Sequence, residues 1–454
     1  MITATSVIAQ DVSSIEKTAS GKRALAYFSA FNSREDAQLT AFFAENTDAE
    51  ALKRRPVEPR VAFHKQVRDD FKKLEVKRVV AVNAEEIKVF AQSPLGTWVL
   101  VTFEIEGGAG KFAGIMVEKI DAPTEGEKVV GQKAPTTLAE LNPAIDGLFT
   151  DLAKKDQFSG VVLVAKDDKP IFAKAWGAAD ATKKLDNKVD TRFNLGSINK
   201  MFTRIAIGQL VSQGKLSFSD KLIKVLPDYP NPVVAEKITI GQLITMSSGM
   251  GDFFNAKFDA ADRSKIRSQK DYLQFFVNDP LEFEPGTDRR YSNAGYLVLG
   301  LVIEKLSGKT YYDYVRENVF KPAGMTSTDS YAMDELPANT AIGYASPTPG
   351  KRTPNVSEQP ARGSSAGGGY STADDMLRFA NALTTRKLVL PNDDGTLPTV
   401  FSGAGFAGGS PGVNAIFITN GSTGYTVIVL SNFDPPSAEK PGAIVRDWLK
   451  QLKQ

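Results

Sequence analysis

Cysteine is absent from the 454 residues, and histidine occurs once, at His64. The first absence excludes thiol nucleophiles, disulfides and thiolate metal sites. The second leaves a Ser-His-Asp triad, or a zinc centre built from histidines, with a single candidate residue. A general base elsewhere is therefore Lys, Tyr, Asp or Glu, and no metal site or cofactor is expected. Charge of one sign is lacking too: 55 basic residues stand against 53 acidic ones, a net of +2, with no long single-sign block. Tracking a phosphate backbone needs such a block, so nucleic acid is not expected as a partner. No apolar run approaches the roughly 20 residues that span a bilayer, so no membrane span is expected.

What is present fits an ordinary globular chain, 42% apolar and long enough for two or three domains. The first residues, MITATSVIAQDVSS, lack the basic start of an intact signal peptide. Their Val7-Ile8-Ala9 fits the small-residue pattern before a cleavage site. Residues 1–16 therefore read as a disordered start or as the stub of a trimmed export signal, the latter implying a periplasmic or secreted protein.

From Lys17 to about Leu74 apolar residues recur at helical spacing: Leu25, Phe28 and Phe31, then Phe42 and Phe43, then Val61, His64, Val67 and Phe71. Past Leu74 the period becomes that of strands, in VKRVVAVNA, EIKVFAQS, TWVLVTFEIEG and FAGIMVEKI. Three helices followed by a four-stranded meander form a small α+β domain, expected over residues 17–120. This pattern resembles the cone-shaped fold shared by nuclear transport factor and ketosteroid isomerase. His64 then faces a ligand pocket of that cone, or sits hydrogen-bonded at a core edge, the commoner use of such a histidine.

Residues 121–137, DAPTEGEKVVGQKAPTT, are rich in Pro, Gly and charge and read as a linker. Beyond it, residues 138–454 begin with a helix to about Lys155, then the strands SGVVLVAK and KPIFAKAWG joined across Asp167-Asp168 as a hairpin. Helices fill the middle, including one in ITIGQLITMSSGM, one after Tyr291-Ser292-Asn293 ending at Gly308, and one after the glycine-rich loop Gly363 to Gly369, capped by Ser371 or Thr372. The chain returns to strands in GGSPGVNAIFITN and YTVIVLSN, and closes on a helix carrying Ile444, Trp448 and Leu452. Strands at both ends with helices between predict α+β architecture: one antiparallel sheet assembled from both termini, flanked by helices, with a helical block inserted.

The chain is organised around FNLGSINKMFTRIAIGQLVSQG, residues 193–214. Apolar Ile198, Met201, Phe202, Ile205, Leu210 and Val211 mark a buried helix that Gly214 stops. Ser197 and Lys200 stand three apart at its start and share a face. A serine needs a base to become a nucleophile, and burial strips charge from a lysine, so Lys200 is able to take the hydroxyl proton. Free amides of the first turn face an oxyanion forming beside Ser197. The same spacing recurs at Ser14, Ser212 and Ser437; there it falls in the chain start, a helix end and the approach to the last helix. Taken alone, Ser197 reads equally as a helix cap with an incidental lysine.

Tyr291-Ser292-Asn293 follows the Pro285-Gly286 turn and precedes a long apolar helix, where a loop holds polar groups over a pocket. A tyrosine hydroxyl near a lysine ammonium has its phenolate favoured and serves as a proton shuttle, and Asn293 donates or accepts at a bound carbonyl. The plainer use of such a tyrosine is a lid over the core.

Ser197-Ile198-Asn199-Lys200, Tyr291-Ser292-Asn293 preceded by EPG, AGGGYSTADDM and GGSPG together resemble the serine β-lactamase and penicillin-binding-protein superfamily. Within it they are most similar to the branch of class C β-lactamases and family VIII carboxylesterases. The resemblance covers about Leu138 to Gln454. It implies a nucleophile at Ser197, a base at Lys200, proton transfer to the leaving group through Tyr291, and an acyl-enzyme on Ser197 that water releases. The implied oxyanion hole pairs the amides of Ser197 and Gly409, with Asn293, Phe406 and Gly408 also against the substrate.

The chain departs from the family where Lys or His precedes a small residue and Gly: it reads Phe406-Ala407-Gly408-Gly409. A phenyl ring does not pair with a carboxylate, and desolvating an unpaired one beside it costs roughly several kcal/mol. Neutral esters are thus expected ahead of penicillins and D-alanyl peptides, unless Arg362 restores a positive charge or Phe406 only packs. The expected partner is a small ester, amide or β-lactam. The alternatives are a β-lactamase or D-amino-acid peptidase, and a non-catalytic ligand- or partner-binding protein.

Overall fold

The computed structural model describes residues 18–82, 86–106, 110–120, 134–348, 351–388, 406–420 and 424–452. Contacts divide the chain into two compact units, Met1–Gly131 and Gln132–Gln454. Ser14 and most of the expected linker, 121–133, lie outside the described residues.

In the first unit α1 (Ala19–Ser33) starts where the Thr18 hydroxyl accepts from the Gly21 amide, and it buries Ala24, Tyr27, Phe28 and Phe31. After it come α2 (Asp36–Asn46), α3 (Ala49–Arg54) and α4 (Val57–Phe71). One more helix stands here than the sequence predicts: α3 is a six-residue turn capped by Asp48, too short for an apolar period to show. Strands β1 (Glu75–Val82), β2 (Glu86–Gln92), β3 (Trp98–Glu106) and β4 (Lys111–Ile120) pair antiparallel in chain order. Ile87, Val89 and Ala91 alternate inward and pack with Val99, Val101 and Phe103 against the helices.

His64 takes the hydrogen-bonded place expected of it, beside a cavity. It is buried, its Nδ1 lies 2.8 Å from the Tyr27 hydroxyl, and it also lines a cavity of about 270 Å³ with Arg55 and Arg60. Burial, helped by the two guanidinium charges, pushes the imidazole down to about 3, so it stays neutral.

In the second unit α5 (Leu138–Lys154) precedes the hairpin of β5 (Gly160–Lys166) and β6 (Lys169–Trp176). Asp167 and Asp168 turn it with left-handed φ of 45° and 67°, a conformation aspartate tolerates. The five-stranded antiparallel sheet runs Phe406–Ser410, Val413–Asn420, Tyr425–Ser431, β5, β6, so strands from both ends of the unit close one sheet. Val162 pairs with Val429 and Val164 with Val427. These four face α5 and the terminal helix Glu439–Gln451. Val161, Leu163, Ile428 and Leu430 face the helical block instead. Burial on both faces explains why β5 is apolar without alternation.

Two boundaries differ from expectation. GGSPGVNAIFITN is a hairpin rather than one strand, since Pro411 cannot donate to a ladder and Gly412 turns at φ 71°. The helix Ala373–Thr384 is capped by Thr372, which accepts from the Asp375 amide, while Ser371 lies in a short strand paired with Phe193. Among the described residues no helix is long and apolar enough to cross a membrane.

Candidate active site

The approach to Ser197 is a backbone forced into a narrow space. Phe193–Asn194 is a two-residue strand, Asn194 Oδ1 accepts from the Gly196 amide at 2.9 Å, and Gly196 turns at φ 51°. A 3₁₀ turn, Gly196–Asn199, then feeds α6 (Lys200–Ser212). Ser197 therefore stands on the turn ahead of the α-helix, one step earlier than its first turn, and Lys200 opens the helix proper.

The edge strand Phe406–Ser410 runs against this turn. A methyl group added at Gly408 would lie 2.0 Å from the Leu195 carbonyl oxygen and 2.9 Å from the Ser197 amide nitrogen. One added at Gly196 would lie 2.9 Å from the Gly409 amide nitrogen. Only glycine permits this approach, which brings the amides of Ser197 and Gly409 to one small region.

α6 is buried almost all round, and Lys200 is 5% exposed. Its Nζ lies 3.2 Å from Ser197 Oγ and donates to Asn293 Oδ1 at 2.6 Å and to the Ala366 carbonyl at 2.5 Å. Burial pushes the amine down to about 7, against a smaller upward pull from Asp252. Tyr291 is 50% exposed, yet its hydroxyl turns inward and donates to Ser197 Oγ at 2.5 Å. Lys200 Nζ lies 4.8 Å from the centre of its ring.

Tyr291 itself is pushed up, by burial first and by Asp252, with the Ser197 hydrogen bond opposing. This reverses the sequence expectation of a favoured phenolate. A lysine that sheds its own charge near neutrality lends little field to a neighbouring phenol, which stays protonated.

Further contacts complete the surroundings, and of the side chains that make them Thr203 and Asp252 carry no signal in sequence. Asn199 Nδ2, Thr203 Oγ1 and Lys200 Nζ donate in turn to the carbonyls of Ser364, Ser365 and Ala366, so the start of α6 grips the glycine-rich loop. Glycine is needed there: a methyl group at Gly369 would meet Asn199 Oδ1 at 2.3 Å. Asp252 Oδ2 accepts from Asn293 Nδ2 at 2.7 Å. Ser292, the cap of the helix Asn293–Ser307, donates to the Gly251 carbonyl at 2.8 Å and so holds the Asp252 loop beside that helix start.

The remaining expected residues are placed as follows. Asn293 is buried and bridges Lys200 and Asp252. Phe406 pairs with Phe417 across the edge of the sheet and is partly buried against the main core. Arg362 is committed elsewhere: its guanidinium stacks 3.7 Å over the Tyr312 ring and donates to the Ser330 carbonyl at 2.6 Å. Its charge is engaged with the Tyr312 ring and the Ser330 carbonyl. Among the described residues no group of three or more His, Asp or Glu side chains is arranged to hold a metal.

The model of the family described as Beta-lactamase matches residues 145–451. The chain belongs to the Beta-lactamase family. Its relatives lie in the serine β-lactamase and penicillin-binding-protein superfamily. Penicillin-binding protein 4* of Bacillus subtilis (strain 168) is 36% identical over 186 residues, which is 40% of this chain and 40% of that protein. The chain thus matches well under two thirds of that relative's length. The solved penicillin binding protein from Bacillus halodurans is 32% identical with a TM-score of 0.59, covering 66% of this chain and 98% of that one. EstCE1, described as a hydrolase with promiscuous acyltransferase activity, shares the fold at 20% identity and a TM-score of 0.56, over 69% of this chain and 98% of that one.

Proposed function

We propose that this member of the Beta-lactamase family is a serine hydrolase that cleaves carboxylic esters through an acyl-enzyme on Ser197. The observation that carries the reading is the Tyr291–Ser197–Lys200 chain, in which a hydroxyl stands between a phenol at 2.5 Å and an amine near neutrality at 3.2 Å. A neutral amine has two N–H groups and one lone pair. Asn293 Oδ1 and the Ala366 carbonyl take the two N–H groups, which leaves the lone pair for the Ser197 proton. Ser197 Oγ then attacks the ester carbonyl, and the amides of Ser197 and Gly409 receive the oxyanion. Tyr291, held protonated, gives its proton to the leaving alkoxide and regains one from the Lys200 ammonium. Water releases the acyl group by the same path in reverse.

Phe406 supports esters over the alternatives. It offers no charge to the carboxylate of a penicillin or a D-alanyl peptide, whereas a neutral ester needs none. Short-chain nitrophenyl esters are expected to be hydrolysed at least about tenfold faster than a chromogenic cephalosporin, since leaving a carboxylate unpaired costs more than about 1.4 kcal/mol. Comparison of the two kcat/KM values checks this, and the reverse order contradicts it. A β-lactamase or D-amino-acid peptidase is the second reading, favoured by the likeness to penicillin-binding proteins. A purely binding role is disfavoured by the presence together of Ser197, Lys200 and Tyr291.

Residues 17–120 are proposed as a cone-like domain joined through 121–137 to the hydrolase, 138–454. A chain beginning at Gln132, where the second compact unit starts, is then expected to keep its activity on small esters. Loss of that activity in a soluble, folded product contradicts the division.

A further inference from the structure

One carboxylate at the site has no part in the proton path just described. Asp252 Oδ2 accepts from Asn293 Nδ2 at 2.7 Å, and Oδ1 accepts from the Phe254 amide at 3.1 Å. On the far side Asn293 Oδ1 accepts from Lys200 Nζ at 2.6 Å. Carboxylate, amide and amine form a single line.

The middle member of that line is ambiguous by chemistry. A carboxamide rotated half a turn exchanges an acceptor for a donor at nearly the same place. A carboxylate only accepts, so it draws the NH₂ end of Asn293 to itself and turns the oxygen toward Lys200. In the reversed orientation the NH₂ end would donate to the lone pair of a neutral Lys200, the pair needed for the Ser197 proton. Two carboxylate oxygens held from two directions, by Phe254 and Asn293, make Asp252 a fixed reference for the choice.

We propose that Asp252 is a positioning residue for the hydrolysis: it locks the Asn293 amide so that the lone pair of Lys200 stays reserved for Ser197. The proposal rests on the Ser197–Lys200 reading above. It predicts a second effect through charge, because Asp252 is the group whose field raises the Lys200 amine against burial. The other groups around Lys200 are Tyr291 and the ring of Tyr296, 5.6 Å away, the latter feeling Arg204 and Arg289. Tyr311 is bound by Thr203 and Asn199, and the glycine-rich loop presents carbonyls. Beside the Asp252 loop, Glu282 is paired with Arg290 at 2.8 Å.

The test uses the full chain, a short-chain nitrophenyl ester, and pH profiles of Asp252→Asn and Asp252→Glu. Asp252→Asn keeps the shape but removes the charge and the acceptor-only character. It is expected to lower kcat/KM about 10- to 100-fold, as loss of an outer-shell partner does at metal sites, mostly in kcat. The midpoint of the acid limb is expected to move to lower pH, since the amine loses the anion whose field raises it. Asp252→Glu, which keeps charge and acceptor, is expected to recover part of the rate and to hold the midpoint near that of the parent. An unchanged kcat/KM and midpoint in Asp252→Asn overturns the proposal. So does a loss of rate that Glu and Asn share with no movement of the midpoint, which marks a merely structural role. Should Asp252→Asn fail to fold, the Glu midpoint decides: displacement downward overturns the lock. Failure of the underlying reading looks different, because a fluorophosphonate would then leave Ser197 of the parent chain unlabelled.

Discussion

Exchange of Ser197 for alanine is expected to lower kcat/KM on a short-chain nitrophenyl ester by about 10⁴- to 10⁶-fold, the loss seen when a nucleophile is removed from a concerted unit. The size follows from the geometry. Tyr291 and Lys200 both direct their polar atoms at Ser197 Oγ, and without that oxygen neither has an atom to act on. The residual rate would come from the oxyanion amides and from binding alone. The same exchange should abolish labelling by a serine-directed fluorophosphonate. Ser197 is only partly buried and its hydroxyl holds no element in place, so the thermal midpoint should change little. Retention of labelling in the alanine variant contradicts the assignment.

Lys200→Met is expected to cost about 10³- to 10⁴-fold in kcat/KM and to remove the acid limb of the pH profile. In the parent chain the amine must be neutral to accept the Ser197 proton. Its value is pushed down to about 7, so activity rises as pH passes upward through that region and levels off above it. An ordinary lysine, with a value of about 10.4, would place the rise more than three units higher. The sign is fixed by burial, which disfavours the ammonium and outweighs Asp252. Methionine fills most of the volume but has no proton acceptor of comparable basicity, so its residual rate should be nearly flat across the same range. A profile for Lys200→Met that still rises near neutrality would place the base elsewhere.

These effects trace to residues that are legible in the sequence. Ser197 and Lys200 are singled out by their spacing at the start of a long apolar helix together with the family resemblance, and the i, i+3 relation survives the change from a 3₁₀ turn to an α-helix at Lys200. Tyr291-Ser292-Asn293 is marked by the Pro-Gly turn before it and the apolar helix after it. The sheet built from both termini followed from where the β-branched runs fell.

What stayed hidden has physical reasons. Asp252 lies on a loop without periodicity, and its partner Asn293 is 41 residues away. The Ala366 carbonyl is backbone, and every residue has one, so no residue type marks its use. The hydroxyls of Ser371 and Thr372 are equally good caps on paper. Pairing of Ser371 with Phe193, a tertiary event, leaves the role to Thr372. The raised value of Tyr291 is not legible in the sequence, which shows neither the burial of the phenol, its main cause, nor the burial that discharges Lys200.

Intact mass followed by peptide mapping, on full-length protein quenched during turnover of a slowly released ester, tests the central proposal most directly. A mass gain of one acyl group is expected on the peptide that contains Ser197, absent from Ser197→Ala and decaying as product appears. Turnover without any such adduct, or an adduct confined to a different residue, would contradict it.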